Sequence, residues 1–346
     1  MYCYFSKNYN HLENAGNKAK TDIETIMHEM GYANIGRNHT LVRNKVAGFV
    51  ITLAGMLKTV MSIRKGDVVV IQYPLKKYYD FIVKSAHRRG ARTVTLIHDL
   101  GSFRRKKLTV KEEIERLNRN DGIIAHTPAM KQWLEEHGVK VPIVILGIFD
   151  YLCDRQPGKR QPGKRYQIVF AGPLRPQNSA FLYALAQKNR SYELVLYGNG
   201  FDKSRLPEDI PGFTVRGFCP PEKIITESRG DFGLVWYGPE TETIAGPQSE
   251  YLPLIAPHKL SLYLRAGMPV IVWSKSAMAP FVEENGIGIA VDSLDNLDSR
   301  LALISPAQLE EMRANATRVA ADLAAGANAR RALLQMMTLL EKKNPT

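Results

Sequence analysis

At 346 residues the chain is about twice the usual size of one compact domain, so two domains are expected. A hydrophobic share of 45% with 23% charged residues argues against a disordered, collagenous or membrane-spanning chain. The net charge of +13 is uneven: the segment up to Arg165 carries 29 basic and 15 acidic residues, the remainder 18 and 19. The amino-terminal half should therefore face something polyanionic: nucleic acid, an anionic membrane surface or a phosphate-bearing substrate. Cys3, Cys153 and Cys219 lie far apart with no CxxC, which supports neither a disulfide framework nor a zinc site and suits the cytoplasm.

Met1 to Asn10 is polar and tyrosine-rich, unlike a signal peptide. Next, Asn14 to Lys20 reads as a glycine-containing loop leading into a helix from Thr21 to Met27. The most apolar run, Val46 to Leu57, stops at Lys58, short of a membrane span, and reads as a buried or interfacial helix. From there β-branched runs alternate with amphipathic ones, the pattern of a parallel sheet with crossover helices. Strands are expected at Asp67–Tyr73, Arg92–His98, Gly122–Ala125 and Pro142–Ile145, with helices at Tyr78–Arg88, Val110–Leu117 and Pro128–His137.

A tandem Gln-Pro-Gly-Lys-Arg unit closes this half at Arg165; its prolines and glycines suit neither helix nor strand. The domains are accordingly placed at 1–154 and 166–330, with a basic linker at 155–165 and a helical tail at 331–346. Strands resume at Gln167–Ala171, Tyr192–Tyr197, Phe213–Arg216, Asp231–Trp236, Pro269–Val272 and Gly288–Val291, and the carboxyl end from Pro306 to Glu341 is helical.

In open α/β sheets ligands bind beyond the carboxyl ends of the strands, so the loops there are the informative ones. Gly16, Asn17 and Lys18 precede a helix whose amino end presents N–H groups to an anion. Another strand ends in His98-Asp99, a pair able to act as a general base or to orient a sugar hydroxyl; Arg104 beyond it can hold phosphate. Arg105, Lys106 and Lys107 read as solvated or membrane-facing charge. In the second half Arg175 offers a planar bidentate donor for a diphosphate, and Tyr197-Gly198-Asn199-Gly200 allows close passage of a ligand over the backbone. The most specific signal is Pro257-His258-Lys259-Leu260, where a helix amino end and a lysine charge converge on one point.

The segment from His258 to Val272, with Asp231–Trp236 before it and Phe281–Gly288 after it, resembles bacterial GT-B glycosyltransferases of the β-1,6-galactofuranosyltransferase type. It is also similar to the accessory-secretion glucosyltransferases; the loop at Asn14–Glu24 and Ile97–Leu100 extend the likeness over about residues 14 to 290. The resemblance implies a GT-B fold, two Rossmann-like doubly wound domains facing a central cleft. It implies a UDP-sugar donor in the carboxyl-terminal domain and an acceptor in the amino-terminal one; the basic charge of that half suits a lipid-linked glycan acceptor. Carried over by motif, Arg175 and Lys259 serve the diphosphate, Tyr197 and the Gly198–Gly200 turn with Asn199 contact the donor, and Gly16 and Asn17 approach it from across the cleft; His258, beside Lys259, is counted with the donor-binding residues. Lys18 and Arg104 serve the acceptor or a phosphate, and His98 or Asp99 is the candidate base. Arg265 and Met268 depart from the small residue or leucine usual in relatives, a change expected to matter little.

Leaving-group charge can be met by lysine, arginine and a helix dipole, so no metal and no cofactor beyond the donor is expected. The basic amino-terminal half then fits a peripheral enzyme on the inner membrane face, in cell-surface polysaccharide synthesis. A nucleotide-sugar epimerase on the same fold is the nearer rival. A nucleic-acid binder is the remoter one, because no helix-turn-helix, RNP-like or zinc motif is present. Homo-oligomerisation, the sugar and its linkage stay open.

Overall fold

The computed structural model describes residues 1–9, 15–75, 78–104, 108–158, 163–207 and 209–342. They form two compact units, Met1–Asp150 with Gly326–Thr346, and Tyr151–Ala325. The crossings fall at Asp150 and Gly326, whereas the sequence suggested a linker at 155–165 and a second domain ending at 330. Within the described residues, the start of that linker is tied to the second unit: Gly158 N donates to Ile225 O at 3.2 Å. Lys159, Arg160, Gln161 and Pro162, like Arg105, Lys106 and Lys107, lie outside the described residues.

The first unit is a parallel six-stranded sheet. Its strands are β1 (Tyr2–Tyr4), β2 (Ala33–Asn34), β3 (Val68–Tyr73), β4 (Arg92–Ile97), β5 (Gly122–Ala125) and β6 (Ile143–Ile145) in the order β2-β1-β3-β4-β5-β6. The helices are α1 (Ala15–Glu29), α2 (Lys45–Ser62), α3 (Tyr79–Arg88), α4 (Gly101–Arg104), α5 (Val110–Leu117) and α6 (Pro128–Glu136). The β-branched runs of β3 and β4 are buried almost throughout, as strands covered on both faces must be. β1 and β2 were not anticipated. Tyr2-Cys3-Tyr4 is too short to signal a strand, and it becomes one by pairing Cys3 with Val69 of β3.

Two expectations about helices change. The expected loop at Asn14–Lys20 is in fact helical from Ala15, so Gly16, Asn17 and Lys18 sit in the first turn of α1. The helix that holds the apolar run continues past Lys58: α2 extends to Ser62, its amino end capped by the Asn44 side chain accepting from Val46 N and Ala47 N.

The second unit holds β7 (Gln167–Ala171), β8 (Glu193–Tyr197), β9 (Phe213–Gly217), β10 (Phe232–Val235), β11 (Val270–Trp273) and β12 (Gly288–Val291), all parallel in the order β12-β11-β10-β7-β8-β9. Its helices are α7 (Pro176–Ala186), α8 (Pro221–Glu227), α9 (Pro247–Tyr251), α10 (His258–Arg265), α11 (Ala279–Glu284), α12 (Leu297–Ala302) and α13 (Pro306–Ala324). In each sheet the order reverses beside the first long strand, which is the doubly wound topology that opens a ligand crevice.

The helical carboxyl end is two helices. Gly326, at φ +69°, separates α13 from α14 (Ala327–Lys342), and a left-handed residue there ends a helix. α14 packs on β5 and β6 of the first unit. Buried Asp150 supplies its cap, accepting from Ala329 N at 2.7 Å and from Asn328 Nδ2 at 2.9 Å. Arg265 also matters more than expected. Its buried guanidinium donates to the carbonyls of Cys153 at 2.5 Å and Arg155 at 3.3 Å, fastening the segment that enters the second unit onto α10.

Candidate active site

The second unit gathers one group of the expected residues at the carboxyl ends of β7 and β8. α10 is positioned there by Tyr263, which packs where a Cβ at Gly233 of β10 would stand, 2.1 Å from its ring, and whose hydroxyl accepts from Ala171 N at 2.7 Å. Only glycine in β10 admits that ring, so the helix start is drawn in over the end of β7. Pro257 takes the position just before the first helical residue, and His258 and Lys259 form the first turn.

Gly172 and Gly198 bring the two strand ends into contact. Gly172 N donates to Tyr197 O and Leu174 N to Asn199 O, both at 2.9 Å. A Cβ at Gly198 would fall 1.8 Å from the Gly172 carbonyl oxygen, so no side chain fits at that turn. Gly200 packs directly on the aliphatic stem of Arg175, and Lys259 Nζ lies against Gly172. Arg175, the Gly198–Gly200 turn and Lys259 therefore surround one backbone crossing.

The electrostatics of that crossing are uneven. Lys259 is half-buried, with Nζ 3.9 Å from the Phe170 ring centre and 4.8 Å from that of Tyr237. Among the described residues no carboxylate pairs with it, and burial pushes its ammonium down to about 7. Ring faces stabilise a cation by about 1–2 kcal/mol and do not replace an anion. Arg175 is exposed, stands at the amino end of α7 and makes no capping bond. Two cations and the amino ends of two helices thus face a glycine-lined turn, an arrangement able to hold two linked phosphates.

His258 and Tyr197 have other neighbours. The imidazole of His258 stacks on Tyr151, with ring centres 4.8 Å apart. Tyr197 is half-buried, and its carbonyl, accepting from Gly172 N, is its contribution to the turn. Asn199 is exposed. Phe170, Gly172 and Tyr237 were not singled out from the sequence. Tyr237 lies two residues past β10, so the rule of reading loops after strands could have found it.

The first unit holds the remaining residues around the end of β4. His98 Nε2 lies 2.7 Å from Gln72 Oε1. The Gln72 amide is oriented by its other end, where Nε2 donates to Lys20 O at 3.2 Å. An amide oxygen only accepts, so the His98 proton sits on Nε2 and Nδ1 is the basic nitrogen. The ring stacks on Phe149 at 5.2 Å. Behind Gln72 lies buried Glu24, which accepts from Ser6 Oγ at 2.6 Å and from the Tyr9 hydroxyl. Burial pushes its carboxyl up to about 7 against those two hydrogen bonds. Residues 6, 9, 24 and 72 are too dispersed in sequence to have signalled this cluster.

Asp99 and Arg104, named for separate roles, pair with each other at 3.1 Å. Lys18 pairs with Asp22 at 2.5 Å on the same helix. Among these, His98 is the residue whose ring is held by a side-chain amide on one edge and an aromatic face beside it.

Residues 2–148 match the glucosyltransferase 3-like N-terminal domain, and residues 168–336 match the glucosyltransferase 3-like C-terminal domain. The beta-1,6-galactofuranosyltransferase WbbI of Escherichia coli K12 is 29% identical over 86% of this chain and 86% of its own. Glucosyltransferase 3 of Streptococcus gordonii is 28% identical over 72% of this chain and 73% of its own. Among solved structures, a glycosyltransferase of Rickettsia africae superposes with a TM-score of 0.58 at 11% identity, over 99% of both chains. T4 phage BGT, solved with its UDP-glucose substrate, superposes at 0.51 and 12% identity over 100% of both. These two share the fold, a pair of Rossmann-like domains of GT-B type. With its two halves matched to the two domains of one family, the chain belongs to the glucosyltransferase 3-like family of GT-B glycosyltransferases.

Proposed function

We propose that the enzyme moves a hexosyl group, galactofuranosyl or glucosyl, from a UDP-sugar to the hydroxyl of a lipid-linked glycan acceptor in cell-surface polysaccharide synthesis. Lys259 carries the reading: a half-buried ammonium without a carboxylate partner among the described residues, set at a helix amino end beside a glycine-lined turn. Such a cation is poised for an anion supplied by a ligand. In the reaction the bond between the sugar's anomeric carbon and the β-phosphate oxygen breaks, and the acceptor oxygen forms the new one. Negative charge grows on the departing diphosphate, where Lys259, Arg175 and the α10 dipole stabilise it without a metal ion. His98 takes the acceptor proton on Nδ1, its tautomer held by Gln72.

The products distinguish this reading from an epimerase. A transferase releases one UDP for each glycosylated acceptor, whereas an epimerase returns an intact, altered UDP-sugar and releases none. Purified enzyme with UDP-glucose or UDP-galactofuranose and extracted lipid-linked glycans, followed by mass spectrometry, separates the two; altered UDP-sugar without acceptor product would overturn the proposal.

A further inference from the structure

The helix α2 presents an apolar face to solvent. Val46 (74% exposed), Phe49, Val50, Leu53, Leu57 and Met61 (69% exposed) all stand out from the surface. With 3.6 residues per turn they fall within about 120° of the helix circumference. Gly48, Gly55 and Thr59 are buried on the opposite side, where Met56 also joins the core of the sheet. By length and composition α2 could cross a membrane, but only 17% of it is buried, so it is not a core helix either. Its ends continue toward β2 and β3 of one sheet, and its small-residue face is packed, so in this fold it can only lie along a surface. A soluble monomer seldom exposes six clustered large apolar side chains without a partner.

Charge identifies the partner. From Gly31 to Gly66 the sequence contains six Lys and Arg residues and no Asp or Glu. Arg37, Arg43, Lys45, Lys58, Arg64 and Lys65 are all exposed, and none forms an ion pair with another described residue. On the helix itself Lys45 and Lys58 flank the apolar arc on either side. An apolar stripe edged by unpaired cations matches the boundary between headgroups and acyl chains of an anionic bilayer; a protein groove would need carboxylates at matching places.

We propose that α2 docks the enzyme flat on an anionic lipid surface, inserting Val46, Val50, Leu53, Leu57 and Met61 to acyl depth while the flanking cations meet lipid phosphates. This inference does not depend on the donor-site reading, since it concerns vesicle binding without any sugar nucleotide. The test is co-sedimentation with vesicles of pure phosphatidylcholine and of phosphatidylcholine with 30 mol% phosphatidylglycerol, at low and high salt. Wild type should partition to the anionic vesicles at least about 10-fold better than to neutral ones, and high salt should weaken it. The double variant Val50→Glu with Leu57→Glu changes exposed positions only and should lower anionic partitioning by about 10-fold or more while keeping the wild-type circular dichroism and melting temperature. In the variant Phe49→Trp, tryptophan emission should shift to shorter wavelength when anionic vesicles are added.

Equal binding to both vesicle types, no binding to either, or unchanged binding by the double variant would overturn the proposal. Self-association of wild type in vesicle-free solution that the double variant abolishes would also overturn it, assigning the face to a second copy instead.

Discussion

Replacing Lys259 with methionine removes the ammonium while keeping most of the stem that lies over Phe170. With its ammonium held down to about 7, wild-type Lys259 is half-charged near neutrality in the empty site. A bound diphosphate favours the charged form, so binding takes up a proton, and affinity should be flat below pH 7 and fall about tenfold per pH unit above it. A UDP-sugar is the right ligand, because its esterified diphosphate has no second ionisation in this range. Loss of a charge-assisted contact costs about 2–3 kcal/mol, so at pH 6 Lys259→Met should bind about 30- to 150-fold more weakly. The variant should show no slope, and its affinity should meet that of wild type near pH 9. Calorimetric titration from pH 6 to 9, in two buffers of different ionisation enthalpy, reads both the affinity and the proton uptake.

Stability supplies the control. A lysine whose folded value lies below its unfolded one destabilises the fold fully below pH 7, and this penalty fades as pH rises toward the unfolded value of about 10.4. Empty Lys259→Met should therefore melt no lower than wild type at pH 6. A wild-type affinity independent of pH, or the same slope in a well-folded variant, would refute the reasoning.

Four further outcomes are expected. Gly198→Ala places a Cβ 1.8 Å from the Gly172 carbonyl oxygen and should cost about 2–3 kcal/mol by thermal melting, with donor affinity lost in whatever protein still folds. Arg265→Leu strands the carbonyls of Cys153 and Arg155 and should cost about 2–3 kcal/mol, lowering the melting temperature by roughly 4–12 °C. His98→Ala should cut turnover by about 100-fold or more while UDP-sugar affinity, measured by calorimetry, stays at the wild-type value. Because charge on the leaving group is assigned to Lys259 and Arg175, EDTA should leave the rate of UDP release unchanged; a rate restored only by added divalent cation would count against that assignment.

The strands that could be read from sequence were those whose own residues prefer extended backbone. Val68–Ile71 or Val270–Trp273 declare themselves by β-branching and by apolar runs too short for a helix. β1 does not, since Tyr2-Cys3-Tyr4 is a strand only because β3 stands beside it. Helix ends were legible where a cap marks them, as at Thr109 before α5, whose side chain and Glu112 cap each other. The start of α1 lies six residues ahead of the expected one, because Gly16 in its first turn reads as loop chemistry.

The site divides in the same way. Lys259 and Gly198 were legible because a helix start and a post-strand glycine have local signatures. The neighbours that give Lys259 its chemistry, Phe170 and Tyr237, are brought to it by the packing of Tyr263 on Gly233. The Glu24 and Gln72 cluster behind His98 joins positions 48 residues apart and had no local trace. Arg265, dismissed as a neutral departure from its relatives, gained its role from two carbonyls more than a hundred residues away.

The most direct measurement counts products. Enzyme, UDP-sugar and lipid-linked glycan are incubated, and UDP and glycosylated acceptor are quantified together over time, with Lys259→Met and His98→Ala in parallel. The expected result is one UDP per added hexosyl unit, with both variants strongly slowed. Altered UDP-sugar without acceptor product, or acceptor glycosylation undiminished by Lys259→Met, would contradict a donor site built on the turn between β7 and β8.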